Sequence, residues 1–85
     1  DKAVSIGEKS NMKIKNIDVN KSFMGVASKD SSKTEIINGN FLKSDICLGA
    51  YRKKVEFSGG KLLLHNITCE SKKNYFSEDS KVVIN

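Results

Sequence analysis

A repeat of 22 residues limits what this chain can become more than any other feature. Residues 3–22 and 25–44 align without a gap, so that Val4 falls on Val26, Ser10 on Ser32, Ile14 on Ile36, Asn16 on Asn38, Lys21 on Lys43 and Ser22 on Ser44. A third copy begins on the same offset, with Cys47-Leu48-Gly49-Ala50 under residues 25–28. It then takes an insertion at 52–59 and resumes six residues late, where Leu62, Leu64, Asn66 and Cys69 continue the positions of Met12, Ile14, Asn16 and Val19. A partial fourth copy, 79–84, repeats 9–14. A fixed period of this length is the mark of a stacked architecture.

Within each copy the apolar residues alternate, as in Val4/Ile6, Met12/Ile14 and Ile17/Val19. That is the period of a strand and not of a helix. Polar clusters such as Gly-Glu-Lys-Ser and Lys-Asp-Ser-Ser separate the runs and read as turns, so short strands of about three to five residues are expected. A strand alone cannot bury its inward side chains. Strands stacked in parallel about 4.8 Å apart put equivalent residues in contact and pair every internal amide. The expected columns are Val4/Val26/Leu48, Met12/Thr34/Leu62/Val82, Ile14/Ile36/Leu64/Ile84 and Val19/Phe41/Cys69. Asn16, Asn38 and Asn66 each follow an inward aliphatic by two positions, where the chain must bend, and are expected to stack as an asparagine ladder. Such a ladder would hide Asn66, so the glycosylation-like tripeptide at 66–68, and that at 20–22, are discounted.

This pattern resembles the right-handed parallel β-helix repeat proteins, the wider superfamily that includes pectate lyases. The resemblance rests on the strands at 3–6 and 25–28, the turn at 28–33 and the aligned asparagines. It implies an all-β fold, a right-handed parallel β-helix (solenoid) of about three and a half coils with about 22 residues each, in a single domain spanning 1–85. The coils would cover 1–22, 23–44, 45–71 with the inserted loop, and in part 72–85. Residues 50–60 resemble a loop of secreted or surface-attached bacterial proteins with this fold, which implies an extracellular or cell-surface location. Family members are longer and carry a helical cap, so a terminal piece of a larger protein, or a subunit that self-associates through open ends, is implied. A start at Asp1 without Met fits a processed form or a fragment. The tail 72–78 is expected to cover the last coil in part, with Asn74 in the Val4 column.

Net charge is +5, carried by fourteen Lys and the single Arg52. A nucleic-acid reader uses clustered cations, Arg and aromatic platforms, whereas these lysines are spread along the chain. Nucleic acid is therefore disfavoured, and a polysaccharide is the expected partner class if there is a ligand. No run is long enough to span a membrane. Cys47 and Cys69 lie in no zinc-type spacing, and two buried thiols are expected, with a disulfide as the alternative.

Catalytic chemistry is hard to find. Glu8 and Asp30 stack in one turn, but Arg52 follows them in the third copy, so neither a calcium cluster nor a glycosidase pair is indicated. His65, aligned with Lys15 and Ile37, should face outward as a single exposed histidine without a nucleophile. No metal or cofactor is expected. The inserted loop is the candidate ligand site, because Tyr51, Arg52, Lys53, Lys54 and Phe57 combine aromatic faces with cations. Its structural alternative is that Gly59-Gly60 merely return the chain while Val55 and Phe57 fold back on the flank. The functional expectation is a non-catalytic β-helix scaffold or carbohydrate-associated module of a larger secreted or surface protein or assembly. The alternatives are a fragment of a polysaccharide lyase or hydrolase, and a basic domain that binds anionic polymers.

Overall fold

The computed structural model describes residues 2–85, with side chains for all of these except residues 71 and 72. Six strands follow in chain order: β1 (Lys2–Ile6), β2 (Asn11–Asn20), β3 (Met24–Lys29), β4 (Lys33–Tyr51), β5 (Lys61–Ser77) and β6 (Lys81–Ile84). Among the described residues there is no helix, every strand pair is parallel, and the sheet does not close into a barrel.

β4 organises the whole. Along one edge its first half lies on β2 and its second half on β3, while its other edge is lined by β5. The 22-residue offset is thus a hydrogen-bonded register: Val4 partners Val26, Val26 partners Leu48, and Ile14 partners Ile36. Past the insertion Leu62 and Leu64 partner Thr34 and Ile36, and Val82 and Ile84 lie on Leu62 and Leu64 in turn. Val19, Phe41 and Cys69 also align.

The strands are longer than the turn clusters suggest, since β4 has 19 residues and β5 has 17. The chain bends inside them on single left-handed residues, Asn38 (φ 62°) and Lys43 (φ 56°) in β4 and Asn66 (φ 58°) in β5. One such residue re-aims the backbone while the parallel ladder continues on both sides. Asparagine tolerates this conformation better than most residues because its short amide bonds locally.

Burial alternates along β4, with Thr34, Ile36, Phe41 and Leu48 inside. Phe41 is the largest fully buried side chain, and two glycines make its room. A Cβ at Gly25 would lie 2.5 Å from the Phe41 ring, and one at Gly39 2.8 Å from it. Each well-buried aliphatic or phenyl group in this interior contributes roughly 1.5–3 kcal/mol.

The column Met12/Thr34/Leu62 is interrupted by a hydroxyl. Thr34 donates to Ser28 Oγ at 3.0 Å, Ser28 Oγ lies 2.6 Å from Ser32 Oγ and donates to the Lys61 carbonyl, and Ser32 Oγ donates to the Ile6 carbonyl. A buried hydroxyl is costly unless bonded, and each of these is bonded.

Three expectations are corrected. Cys47 and Cys69 form a disulfide, not two thiols, with Cα atoms 6.2 Å apart. The insertion moves β5 along β4 so that Cys69 lies on Phe41, within bridging distance of Cys47. Tyr75, not Asn74, stands over Leu48 in the Val4 column: the first half of β5 runs 28 residues after its partners in β4, and the register shift between Leu42 and Ser44 reduces this to 27, which places Tyr75 there. Asn66 is exposed and not hidden, since the bends on which the asparagines sit lie at the surface. Of the expected tail cover at 72–78, the side chain of residue 72 lies outside the description. The backbone from 73 to 77 is a paired strand of the sheet, on residues 46–50.

Candidate functional site

The insertion leaves β4 after Tyr51 and re-enters the sheet at Lys61. Its anchor is Asp30, a buried residue in the left-handed turn between β3 and β4 (φ 50°). Asp30 Oδ1 accepts the backbone N–H of Lys53 at 2.7 Å and of Lys54 at 2.9 Å. The Lys54 N–H, followed by that of Lys53, holds the Asp30 carboxyl below the ordinary aspartate range against the opposing effect of burial. Next door, Ser31 N–H donates to the Ser58 carbonyl and Ser31 Oγ accepts the Ser58 N–H, both at 2.9 Å. Gly60 then passes so close to β3 that a Cβ there would sit 1.9 Å from the Ser28 carbonyl oxygen. Glycine is required at that point by contact, not by backbone angle.

Of the five expected site residues, Tyr51 ends β4 and the other four lie in the loop, and they do not share a face. Lys54 Nζ pairs with Glu8 Oε2 at 2.5 Å, back toward the β1–β2 turn, and the hydrogen bond to Glu8 raises the Lys54 ammonium above its usual range. Arg52 Nη2 reaches the opposite way, to Asp79 Oδ2 at 3.5 Å in the turn before β6. The Phe57 ring lies under the Lys9 ammonium at 5.9 Å, while Tyr51 meets Phe76 edge-on at 6.0 Å. Lys53 is exposed and is fixed only through its backbone. Phe57 is half-buried, but Val55 is 86% exposed, so only the phenylalanine folds back.

Such an arrangement fastens a loop, its cations and rings engaged in different directions. A depression of about 530 Å³ lies elsewhere, where β5 runs beyond the end of β6. Leu48, Leu64, Ile67, Tyr75 and Ile84 floor it. It is the open end of the interior.

The other expected residues are equally placed. Asn38 Nδ2 donates to Asn16 Oδ1 at 3.1 Å and Asn66 Nδ2 to Asn38 Oδ1 at 2.7 Å, which is the ladder read from the sequence. Glu8 is ion-paired with Lys54, and Asp30 is a carboxylate held low by two N–H donors. His65 faces outward but is not solitary. Its Nε2 lies 2.9 Å from Glu35 Oε2, and its Nδ1 3.5 Å from Asn85 Nδ2. Among the described residues no candidate nucleophile is bonded to this pair.

Two features went unread in the sequence. The first is the clamp made by Asp30 and Ser31, for which the only signal was a polar turn of ordinary composition. The second is an outward row, Lys33, Lys61 and Lys81, in which each lysine partners the next across the ladder. The offsets that define the inward columns yield this row one position earlier.

The chain matches no known protein family, no curated protein and no solved structure. Among the described residues no helix is long and apolar enough to cross a membrane.

Proposed function

We propose that the chain is a non-catalytic scaffold module: a right-handed parallel β-helix of about three and a half coils, of the pectate-lyase-like kind, belonging to a larger secreted or surface protein or assembly. The observation that carries this reading is the amide ladder Asn16–Asn38–Asn66 on a parallel register of 22 residues. The same residue turning the same corner in three successive layers is what a winding chain produces. The disulfide supports a location outside the reducing cytosol. The occupied state of Glu8, Asp30 and Arg52 supports a structural role for the acids and for the loop, and disfavours the lyase alternative.

Two measurements test the proposal. Incubated with uronate polymers, the protein generates no unsaturated product with or without added calcium; a chelator-sensitive rise in ultraviolet absorbance overturns the non-catalytic reading. Sedimentation separates a monomer from an end-to-end assembler. On a glycan array, binding that is lost in Tyr51→Ala or Arg52→Ala assigns carbohydrate association to the inserted loop, and binding indifferent to both places it elsewhere.

A further inference from the structure

Arg52, Lys53 and Lys54 are the longest run of adjacent cations in the chain, and Val55 follows them. Residues 52–56 of the inserted loop are all exposed, Val55 to 86%. Two anchors bracket this span. On one side Asp30 Oδ1 accepts the N–H of Lys53 and that of Lys54. On the other, Ser58 is fixed to Ser31 through both its carbonyl and its N–H. Between the anchors Phe57 N–H donates to the Lys54 carbonyl at 3.1 Å, while among the described residues the N–H groups of Val55 and Glu56 have no hydrogen-bond partner. The peptide bonds after Arg52 and Lys53 therefore have their N–H held by a buried carboxylate, and the bond after Lys54 does not. The disulfide encloses the same stretch, since Cys47 precedes the loop and Cys69 follows it. Within that enclosure the remaining cation is Lys61, which lies in β5 with strands paired on both sides. A cut after Lys9 or Lys21, exposed lysines of two other turns, would fall outside it.

We propose that the Lys54–Val55 bond is a processing site for an endopeptidase specific for basic residues, and that cleavage there converts the protein into a disulfide-linked two-chain form. Exposed loop tips are where folded proteins are nicked, because the bond must leave its native geometry to enter a protease cleft. Here that rearrangement gives up the Phe57–Lys54 hydrogen bond and the exposed Lys54–Glu8 pair, which a carboxylate at the base of a primary specificity pocket replaces. In the hydrolysis, the oxygen of water joins the Lys54 carbonyl carbon, the C–N bond breaks, and the products are a Lys54 carboxylate and a Val55 ammonium. Both new ends stay in place, one on Asp30 and the other through Ser58 on Ser31. The ladder between β4 and β5 and the Cys47–Cys69 bridge continue to join the two pieces. The inference goes beyond the scaffold reading and does not depend on whether the loop binds a ligand.

The test is limited digestion of the whole folded chain with a trace of trypsin, read by mass spectrometry and by electrophoresis with and without reductant. The first product is expected to be heavier than the intact chain by one water, to run as a single species without reductant, and to separate with reductant into residues 1–54 and 55–85, the second beginning Val-Glu-Phe. Unreduced, it should keep a cooperative melting transition by circular dichroism. In Lys54→Gln the first cut is expected to slow by about tenfold or more, because the primary pocket loses its cation and the next bond back has its N–H on Asp30. Lys21→Gln should leave the rate unchanged. A first cut at any other bond overturns the proposal. So does resistance of the folded protein under conditions that digest the reduced, urea-unfolded chain, an undiminished rate in Lys54→Gln, or loss of cooperative melting on nicking, which would make the cut degradation and not processing.

Discussion

At one corner of the repeat, after Ile14, Ile36 and Leu64, the backbone turns on asparagine every time, with φ of 61°, 62° and 58°. At the corner after Ile6 and Ser28 it turns on Glu8-Lys9, then on Asp30-Ser31, and then opens into the insertion. The first corner is held by neighbours of one kind, each amide bonding the amide below it. The second is held by unlike parts: a buried carboxylate on two N–H groups, a serine bridge and a glycine pressed on a carbonyl. Identity between copies suffices where the bonding is mutual. Where it is not, one well-placed acid lets the chain make an excursion and return.

The strongest way to break this contrast is Gly60→Val. With a Cβ 1.9 Å from the Ser28 oxygen the divergent corner cannot close, and loss of cooperative unfolding by circular dichroism is expected. A variant with a normal melting transition would show that close approach does not hold this corner. On the repeating side, reduction of Cys47–Cys69 should lower stability by about 3 kcal/mol in urea titrations run with and without reductant.

Asn38 sharpens the comparison further. Asn38→Ala is expected to cost about 2 kcal/mol, since alanine bears left-handed strain and breaks two ladder bonds. Asn38→Gly relieves the strain and should cost about half as much. Equal losses would mean that the ladder, not the backbone angle, selects asparagine.

Asp30 gives the divergent corner a pH dependence. Its carboxyl is held low in the folded protein, so its contribution is complete above the ordinary aspartate range. That contribution disappears as the pH falls below about 4 and the folded group takes up its proton. Asp30→Asn should therefore be less stable than wild type at neutral pH and should approach it in acid, as followed by melting temperature. A gap that widens in acid reverses the sign and removes Asp30 as the anchor. The smallest effect belongs to Lys54→Gln. The pair with Glu8 is exposed, and the melting temperature should not change measurably.

The contrast also explains what could be read from residues alone. The parallel register, the apolar columns and the ladder were legible because they repeat, and a repeat reports its own neighbours. The disulfide was not, since it joins positions in different columns whose distance depends on how far the insertion moves β5. The shift at Leu42/Ser44 that brings Tyr75 over Leu48 leaves no mark in composition. Asp30 looked like any turn former, and its role depends on two backbone amides more than twenty residues away. The loop was found where expected, but the directions of Arg52 and Lys54 were set by Asp79 and Glu8, acids at unrelated points of the chain.

The amides of Asn66, Asn38 and Asn16 all point the same way, each later residue giving its hydrogen to the earlier one. A stack built on such a vector can be lengthened by duplicating one whole unit between its neighbours, because the newcomer receives at one side and gives at the other as they do. Stature is then a quantity that gene duplication can adjust in fixed increments, with no junction to be reinvented.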